Sequence, residues 1–358
     1  MAIVAALVAI LAPRKFKEKI SMRLKPIKGL AVAIAILATV SSGVHAEVNE
    51  VRLSRGLSLG FLPSIVMQDQ KLVEKHAKAA GINDPKVVWQ GFIGGVAMND
   101  ALISGQMHFA GGGPPPFTVL WARTQGTPHA VKAIAALNAS PMYLLTRNPA
   151  VKSVRDFGPK DRIAVPGAKI SNQAVVLQMV AEKVFGDRGR FDPLTVVLSL
   201  PDGFTALLSG GELTAQFSGP PFQYQTKELQ KRGVRKILDS EEVLGGPTTF
   251  LMMWTTNRFY EENPKIYQAV YAALEEAINL INRDHRLAAG IFLRVTKQKA
   301  EPAEIVRILD DPGTKYGLAP QNIMKYVDFL HKSGVIKTRP ASWKDMFFPG
   351  PVHNLPGS

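Results

Sequence analysis

One unit occurs twice in this chain, about a hundred residues apart, and it restricts the fold more than any other feature. Its first copy is Ala101-Leu-Ile-Ser-Gly105, then Gln106-Met-His-Phe-Ala110, then Gly111-Gly-Gly-Pro-Pro-Pro-Phe117. The second is Ala206-Leu-Leu-Ser-Gly210, then Leu213-Thr-Ala-Gln-Phe217, then Ser218-Gly-Pro-Pro-Phe222. Each copy reads as a helix end, a Gly cap, a short strand and a stiff Pro-rich loop. Two such units predict two similar α/β lobes. In open α/β sheets ligands sit beyond the carboxyl ends of strands, so the two loops become the jaws of a cleft.

A chain of 358 residues has length for about two domains. Part of the formal charge of +14 lies at the start. Seven Lys/Arg and one acid, Glu18, fall in residues 1–46; removing them from totals of 43 and 29 leaves 36 basic and 28 acidic residues, a net of +8. That excess suits an anionic ligand or a negatively charged partner. No basic stripe interleaved with aromatics argues for nucleic acid. The absence of Cys excludes disulfides, thiolate metal sites, Cys nucleophiles and a lipid-anchored Cys.

Residues 1–46 read as a leader. Met22-Arg-Leu-Lys-Pro-Ile-Lys28 is a basic n-region and Gly29 to Val40 an apolar h-region, short for a membrane span. Val44-His45-Ala46 puts small residues at the −3 and −1 positions, which predicts cleavage before Glu47. Met1–Ala12 is a second apolar run, so Met22 is the expected biological start and 22–46 the signal peptide. The alternative is an N-terminal membrane anchor. Export of a Cys-free soluble protein points to a bacterial periplasm.

Beyond the leader, strands are expected at Val51–Ser54, Lys86–Gln90, Met107–Ala110, Val131–Leu137, Arg162–Val165, Leu194–Leu198 and Thr249–Thr255. Leu57–Pro63 reads as a loop, and Ser64 as the cap of a helix ended by Gly81. Gly91-Phe-Ile-Gly-Gly95 opens a helix to Ser104, and Ser171 or Asn172 caps one running to about Val184. Asp202 is the expected cap of the helix ending at Gly210. Asn263-Pro264 starts an amphipathic helix through Ile281. Further helices cover roughly 286–296, 302–309 and 320–333, and a Pro/Gly-rich tail follows Pro340. Pro141–Arg147 and Thr249–Thr255 are the crossings between lobes. The expected division is lobe 1 at 47–145, lobe 2 at 146–248, and a return to lobe 1 at 249–358.

The loops carry little chemistry of their own. Gly111–Pro116 is not a P-loop: no Gly-Lys-Ser/Thr follows, and three prolines are expected to prevent a helix from starting there. Free amides before the helices at Gly94-Gly95 and at Lys169-Ile-Ser-Asn172 favour an anion or polar oxygen. The histidines show no metal-ligand spacing, and no Gly-x-Ser-x-Gly elbow occurs. Phe61, Phe92, Phe117, Phe222 and Trp254 fall near loops or crossings and together are candidates for a pocket wall.

The chain resembles the periplasmic substrate-binding proteins of ABC importers, of the nitrate/sulfonate/taurine type whose fold includes thiamine-pyrimidine-precursor proteins. The similarity rests on Gly60-Phe-Leu-Pro63, the two Gly-capped units, Lys152–Gly158 leading to Ile163-Ala-Val-Pro166, Tyr316–Pro320, Gly334-Val-Ile336 and Pro340-Ala-Ser-Trp343. It departs where the family often has Asp: His108 and Thr214 stand there. No arginine clamp for a sulfonate or nitrate is evident near the loops, which points to a larger, partly apolar ligand. The resemblance implies two α/β lobes, a ligand cleft with hinge closure, and delivery of a small solute to an inner-membrane permease by a monomer without cofactor. The expected ligand-binding set in lobe 1 is Phe61, Leu62, Gln90, Phe92, Gly94, Gly95, Gly113, Pro114, Pro115 and Ser140. In lobe 2 it is Lys169, Ser171, Asn172, Asp202, Gly219, Pro220 and Thr248. The competing expectation is an enzyme on the same scaffold, resembling sulfinate-cleaving enzymes or pyrimidine-precursor synthases. Both of those rely on cysteine, which this chain lacks.

Overall fold

In the first lobe, strand β1 (Glu50–Arg55) leads through a single 3-10 turn to α1 (Leu62–Asp69) and α2 (Leu72–Ala79). β2 (Lys86–Gly91), α3 (Gly94–Ile103), β3 (Ala110–Gly112), α4 (Pro114–Thr124) and β4 (Val131–Ala139) follow. The second lobe comprises β5 (Tyr143–Thr146), β6 (Ile163–Val165), α5 (Asn172–Phe185), β7 (Thr195–Val197), α6 (Leu200–Ser209), β8 (Ala215–Phe217), α7 (Thr226–Lys231), β9 (Arg235–Asp239) and α8 (Ser240–Leu244). The chain returns through β10 (Thr249–Thr256) to α9 (Asn257–Glu262), α10 (Pro264–Arg283), α11 (His285–Thr296), α12 (Pro302–Leu309), β11 (Lys315–Tyr316) and α13 (Ile323–Lys332). This computed structural model describes residues 47–91 and 94–358; the leader and Phe92 lie outside the described residues.

The strands of the two lobes are laid out alike, although the first lobe's form a two-stranded and a four-stranded sheet joined by an isolated bridge and the second lobe's form one five-stranded sheet. In the first, β2 and β1 pair in parallel, β1 bridges in parallel to Phe109 just before β3, and β3–β10 and β10–β4 are antiparallel. In the second, β7–β6 and β6–β8 are parallel, and β8–β5 and β5–β9 antiparallel. The equivalence reaches single atoms. The N–H groups of His108 and Phe109 both donate to Arg52 O, and those of Thr214 and Ala215 both donate to Arg162 O. His108 Nδ1 accepts from Arg52 N at 3.2 Å, and Thr214 Oγ1 accepts from Arg162 N at 2.9 Å. The two departures from the family pattern thus do the same work, supplying an acceptor to the neighbouring strand.

Several local expectations are corrected. Three prolines do start a helix: Pro114, Pro115 and Pro116 are its first three residues, with Gly113 as N-cap. The first N–H groups of a helix have no intrahelical acceptor, so removing them costs no hydrogen bond. The first helical bond then comes from Phe117 N to Gly113 O at 3.4 Å. Leu57–Pro63 is not all loop, because Leu62 and Pro63 open α1 and Ser64 lies inside it, not at its cap. The single helix expected to run until Gly81 breaks at Lys71, whose φ is +51°. Ser199, not Asp202, caps α6. Asn263 does not cap α10 with its side chain; its Oδ1 accepts from Val48 N. Glu47 does that work, its carboxylate accepting from Lys265 N at 3.0 Å and Ile266 N at 2.8 Å. The Pro-rich tail is core: Trp343, Met346, Phe347, Phe348 and Val352 are buried, and Phe348 N donates to Ala133 O.

Candidate functional site

A cavity of about 460 Å³ lies between the two lobes, lined by residues of both. Its walls come from the carboxyl ends of the parallel strands: Arg55 to Ser58 after β1, Gly91 at the end of β2, Gly111 to Gly113 at β3, Pro166 and Gly167 after β6, and Ser199 after β7. Phe250 and Leu251 of β10 close the floor. This is where strand-end loops of an α/β sheet place a ligand.

Glycines let these loops close in. A Cβ on Gly56 would lie 2.4 Å from the Phe61 ring and one on Gly111 3.0 Å from it, so Phe61 is clamped between two backbones. A Cβ on Gly112 would lie 3.2 Å from Gly95 Cα, and one on Gly95 2.9 Å from Pro116. That draws the first turn of α3 against the β3–α4 junction. Asn99 locks the arrangement, donating Nδ2 to Pro116 O and accepting from Trp254 Nε1. The Phe250 ring stands between the lobes, and Cβ atoms on Gly60 and Gly219 would each come within 3 Å of it. Leu59 N donates to Pro220 O at 3.1 Å, joining the first lobe to the Pro-rich loop of the second.

Four helix N-termini meet the cavity: that of α3, with no acid in its first turn, and three that differ in chemistry. Helix α4 begins with three prolines and offers no N–H donor in its first turn. Helix α5 keeps its amides and has no acid in its first turn. Its cap, Ser171, accepts from Ala174 N at 3.2 Å and donates to Gly167 O at 2.6 Å. Helix α6 already holds an acid: Ser199 Oγ donates to Asp202 Oδ2 and accepts from Asp202 N. The positive poles without an acid of their own are therefore those of α3 and α5.

Asn172, 3% exposed, is the first residue of α5 and touches both lobes. Its Nδ2 donates to Phe250 O at 2.7 Å, and its Oδ1 packs on Gly113, where a Cβ would approach to 1.7 Å. That oxygen has no hydrogen-bond donor. Arg55, the last residue of β1, lines the cavity and donates Nη1 to Gln68 Oε1 at 3.3 Å. An arginine does stand at the cleft, against the sequence reading.

Of the residues expected at a ligand, Phe61, Gly95, Gly113, Ser171, Asn172 and Asp202 line the cavity. Gly94 begins α3 beside it. Gly219 and Pro220 touch lining elements without lining it themselves. Leu62 is in the core, Pro114 and Pro115 are buried in α4, and Gln90 lies on β2. Ser140 and Thr248 flank the crossings and bond locally, to Pro141 O and Gly246 O. Lys169 is exposed, with φ of +64°. Of the aromatic set, Phe117, Phe222 and Trp254 are buried in the lobes. Phe250 takes the wall position instead, unforeseen because an apolar strand residue reads as core.

No protein-family model matches the chain. No curated protein matches it. Solved structures do. The alkanesulfonate-binding protein SsuA from Xanthomonas axonopodis pv. citri, bound to MOPS, superposes with a TM-score of 0.66 at 18% identity, over 85% of this chain and 100% of that one. The periplasmic nitrate-binding protein NrtA from Synechocystis gives 0.65 at 16% identity, over 83% of each chain. A Candida albicans gene product, described as exhibiting the generic periplasmic binding protein structural fold, gives 0.60 at 13% identity, over 85% and 99%. The alike strand layout of the two lobes, the cleft at their strand ends and these superpositions lead to one conclusion: the chain has the generic periplasmic binding protein fold, two α/β lobes around a ligand cleft.

Proposed function

We propose that this protein is the solute-binding component of an ABC importer, exported to the periplasm as a monomer and capturing a small organic anion by cleft closure. The observation that carries the reading is the cavity itself. It has the volume of a small-molecule site, mostly apolar walls and a few fixed polar groups. Arg55 and the first-turn amides of α5 face it from opposite lobes, so one anionic group can engage both. Such a bridge gives a ligand more contacts in the closed than the open cleft, which is the condition for ligand-driven closure. The solved structures named for alkanesulfonate and nitrate binding support an oxyanion as the class. Delivery to a permease follows from the same likeness. An enzyme on this scaffold is disfavoured, since a chain without Cys has no thiol chemistry.

Thermal unfolding of the Glu47–Ser358 form against taurine, alkane- and arenesulfonates, carboxylates, nitrate and hydroxymethyl-pyrimidine tests this. A ligand at a hundred times its Kd stabilises by about 2.7 kcal/mol, a shift of several degrees. A saturable shift without turnover is expected. Silence across the panel, or product formation, would overturn the reading.

A further inference from the structure

The cleft carries both signs of charge, on different lobes. Arg55, at the end of β1 in the first lobe, lines it. Asp202 sits in the first turn of α6 in the second and also lines the cavity. Neither forms an ion pair among the described residues. Asp202's only side-chain partner there is the Ser199 hydroxyl, which leaves Oδ1 to accept. A second acceptor lies on the same lobe: Asn172 is 3% exposed, lines the cavity, and its Oδ1 has no donor. Donors are offered by Arg55 and by the acid-free first turn of α5, the turn to which Asn172 itself belongs. Phe61, Pro116 and Phe250 supply apolar wall to the same cavity.

A ligand made only of acceptors satisfies half of this cavity. Nitrate, sulfate or a plain alkanesulfonate pairs with Arg55 and the α5 amides but confronts the Asp202 carboxylate with like charge. It also leaves the acceptors without donors. A site built to receive an N–H or O–H discriminates strongly against the analogue that lacks it. From this charge arrangement we infer that the ligand is zwitterionic: an organic anion that also bears an ammonium or N–H donor, separated by an apolar body. The anionic end engages Arg55 and α5, and the donor end engages Asp202. This rests on the solute-capture reading and narrows it. Because Arg55 and Asp202 belong to opposite lobes, such a ligand ties one lobe to the other.

Isothermal titration of the Glu47–Ser358 form with matched pairs is the test: 6-aminohexane-1-sulfonate against hexane-1-sulfonate, and phenylalanine against 3-phenylpropanoate. The amino member of at least one pair is expected to bind at least about tenfold more tightly than its amine-free partner. Asp202→Asn, which keeps an acceptor at the helix start, is expected to collapse that difference. Arg55→Gln is expected to weaken both members. Equal or tighter binding of the amine-free members overturns the zwitterion while leaving solute capture standing. The same holds if neither pair binds but a simple anion of the thermal panel does. Silence with every solute overturns both readings.

Discussion

His108 faces two donors of one residue: Arg52 N donates to its Nδ1, and Arg52 Nη2 lies 3.0 Å from its Nε2. Its ring also stacks on Phe259, 4.7 Å away. Burial first, and the Arg52 charge second, lower its pKa from 6.5 to about 4. The folded protein therefore holds His108 neutral where an unfolded chain takes a proton. Between about pH 4 and 6.5 the unfolded state binds more protons, so stability rises with pH in that window and is lost as pH falls through it. Tm measured from pH 4 to 7 should show this slope. His108→Gln keeps an acceptor for Arg52 N and should flatten it; an unchanged slope would contradict the assignment. Thr214, with the same task in the other lobe, has no titrating group and adds nothing to the slope.

At the level of elements, α10 shows how a cap can come from far along the chain. Asn263 and Pro264 mark its start in the sequence, and the amphipathic pattern buries Ile266, Val270, Leu274 and Ile281. Yet two of its free N–H groups are satisfied by Glu47, more than two hundred residues away. Glu47→Ala should cost about 1 kcal/mol, in the range of a lost helix cap, and lower Tm by roughly 2 °C. Glu47→Gln keeps an acceptor without the charge and should lie between. An unaltered Tm for both would mean that the carboxylate does not cap α10. The proline start of α4 teaches a related lesson. A run of prolines breaks a helix interior, but at the first turn it removes only donors that lacked acceptors, so its meaning depends on position.

For the molecule as a whole, what matters is where one lobe touches the other. Asn172 against Gly113, Phe250 against Gly60 and Gly219, and Leu59 N to Pro220 O form a seam in which glycine is required by contact. Gly113→Ala should push Asn172 away from Phe250 O, cost about 1–3 kcal/mol and enlarge the radius of gyration in solution scattering. Asn172→Ala in the same chain should recover much of the loss, because the two residues couple directly. Additive effects of the two substitutions would remove the contact from the account. The repeated helix–Gly–strand unit, most strand positions, the cap at Ser171 and the helix start at Pro264 were legible because periodicity, glycine conformation and capping chemistry act within a few residues; the strand expected at Met107–Ala110 lies instead at Ala110–Gly112. So was the placement of a cleft beyond the strand ends, which brought Phe61, Gly95, Gly113, Ser171, Asn172 and Asp202 into the candidate site. Arg55, Phe250 and the cap from Glu47 were not legible. Their roles depend on which residues of distant segments meet when two lobes close on each other. Local pattern thus determined two alike lobes and a cleft between them. Only the tertiary structure decided which charges face that cleft, because facing is a relation between segments that no local pattern encodes.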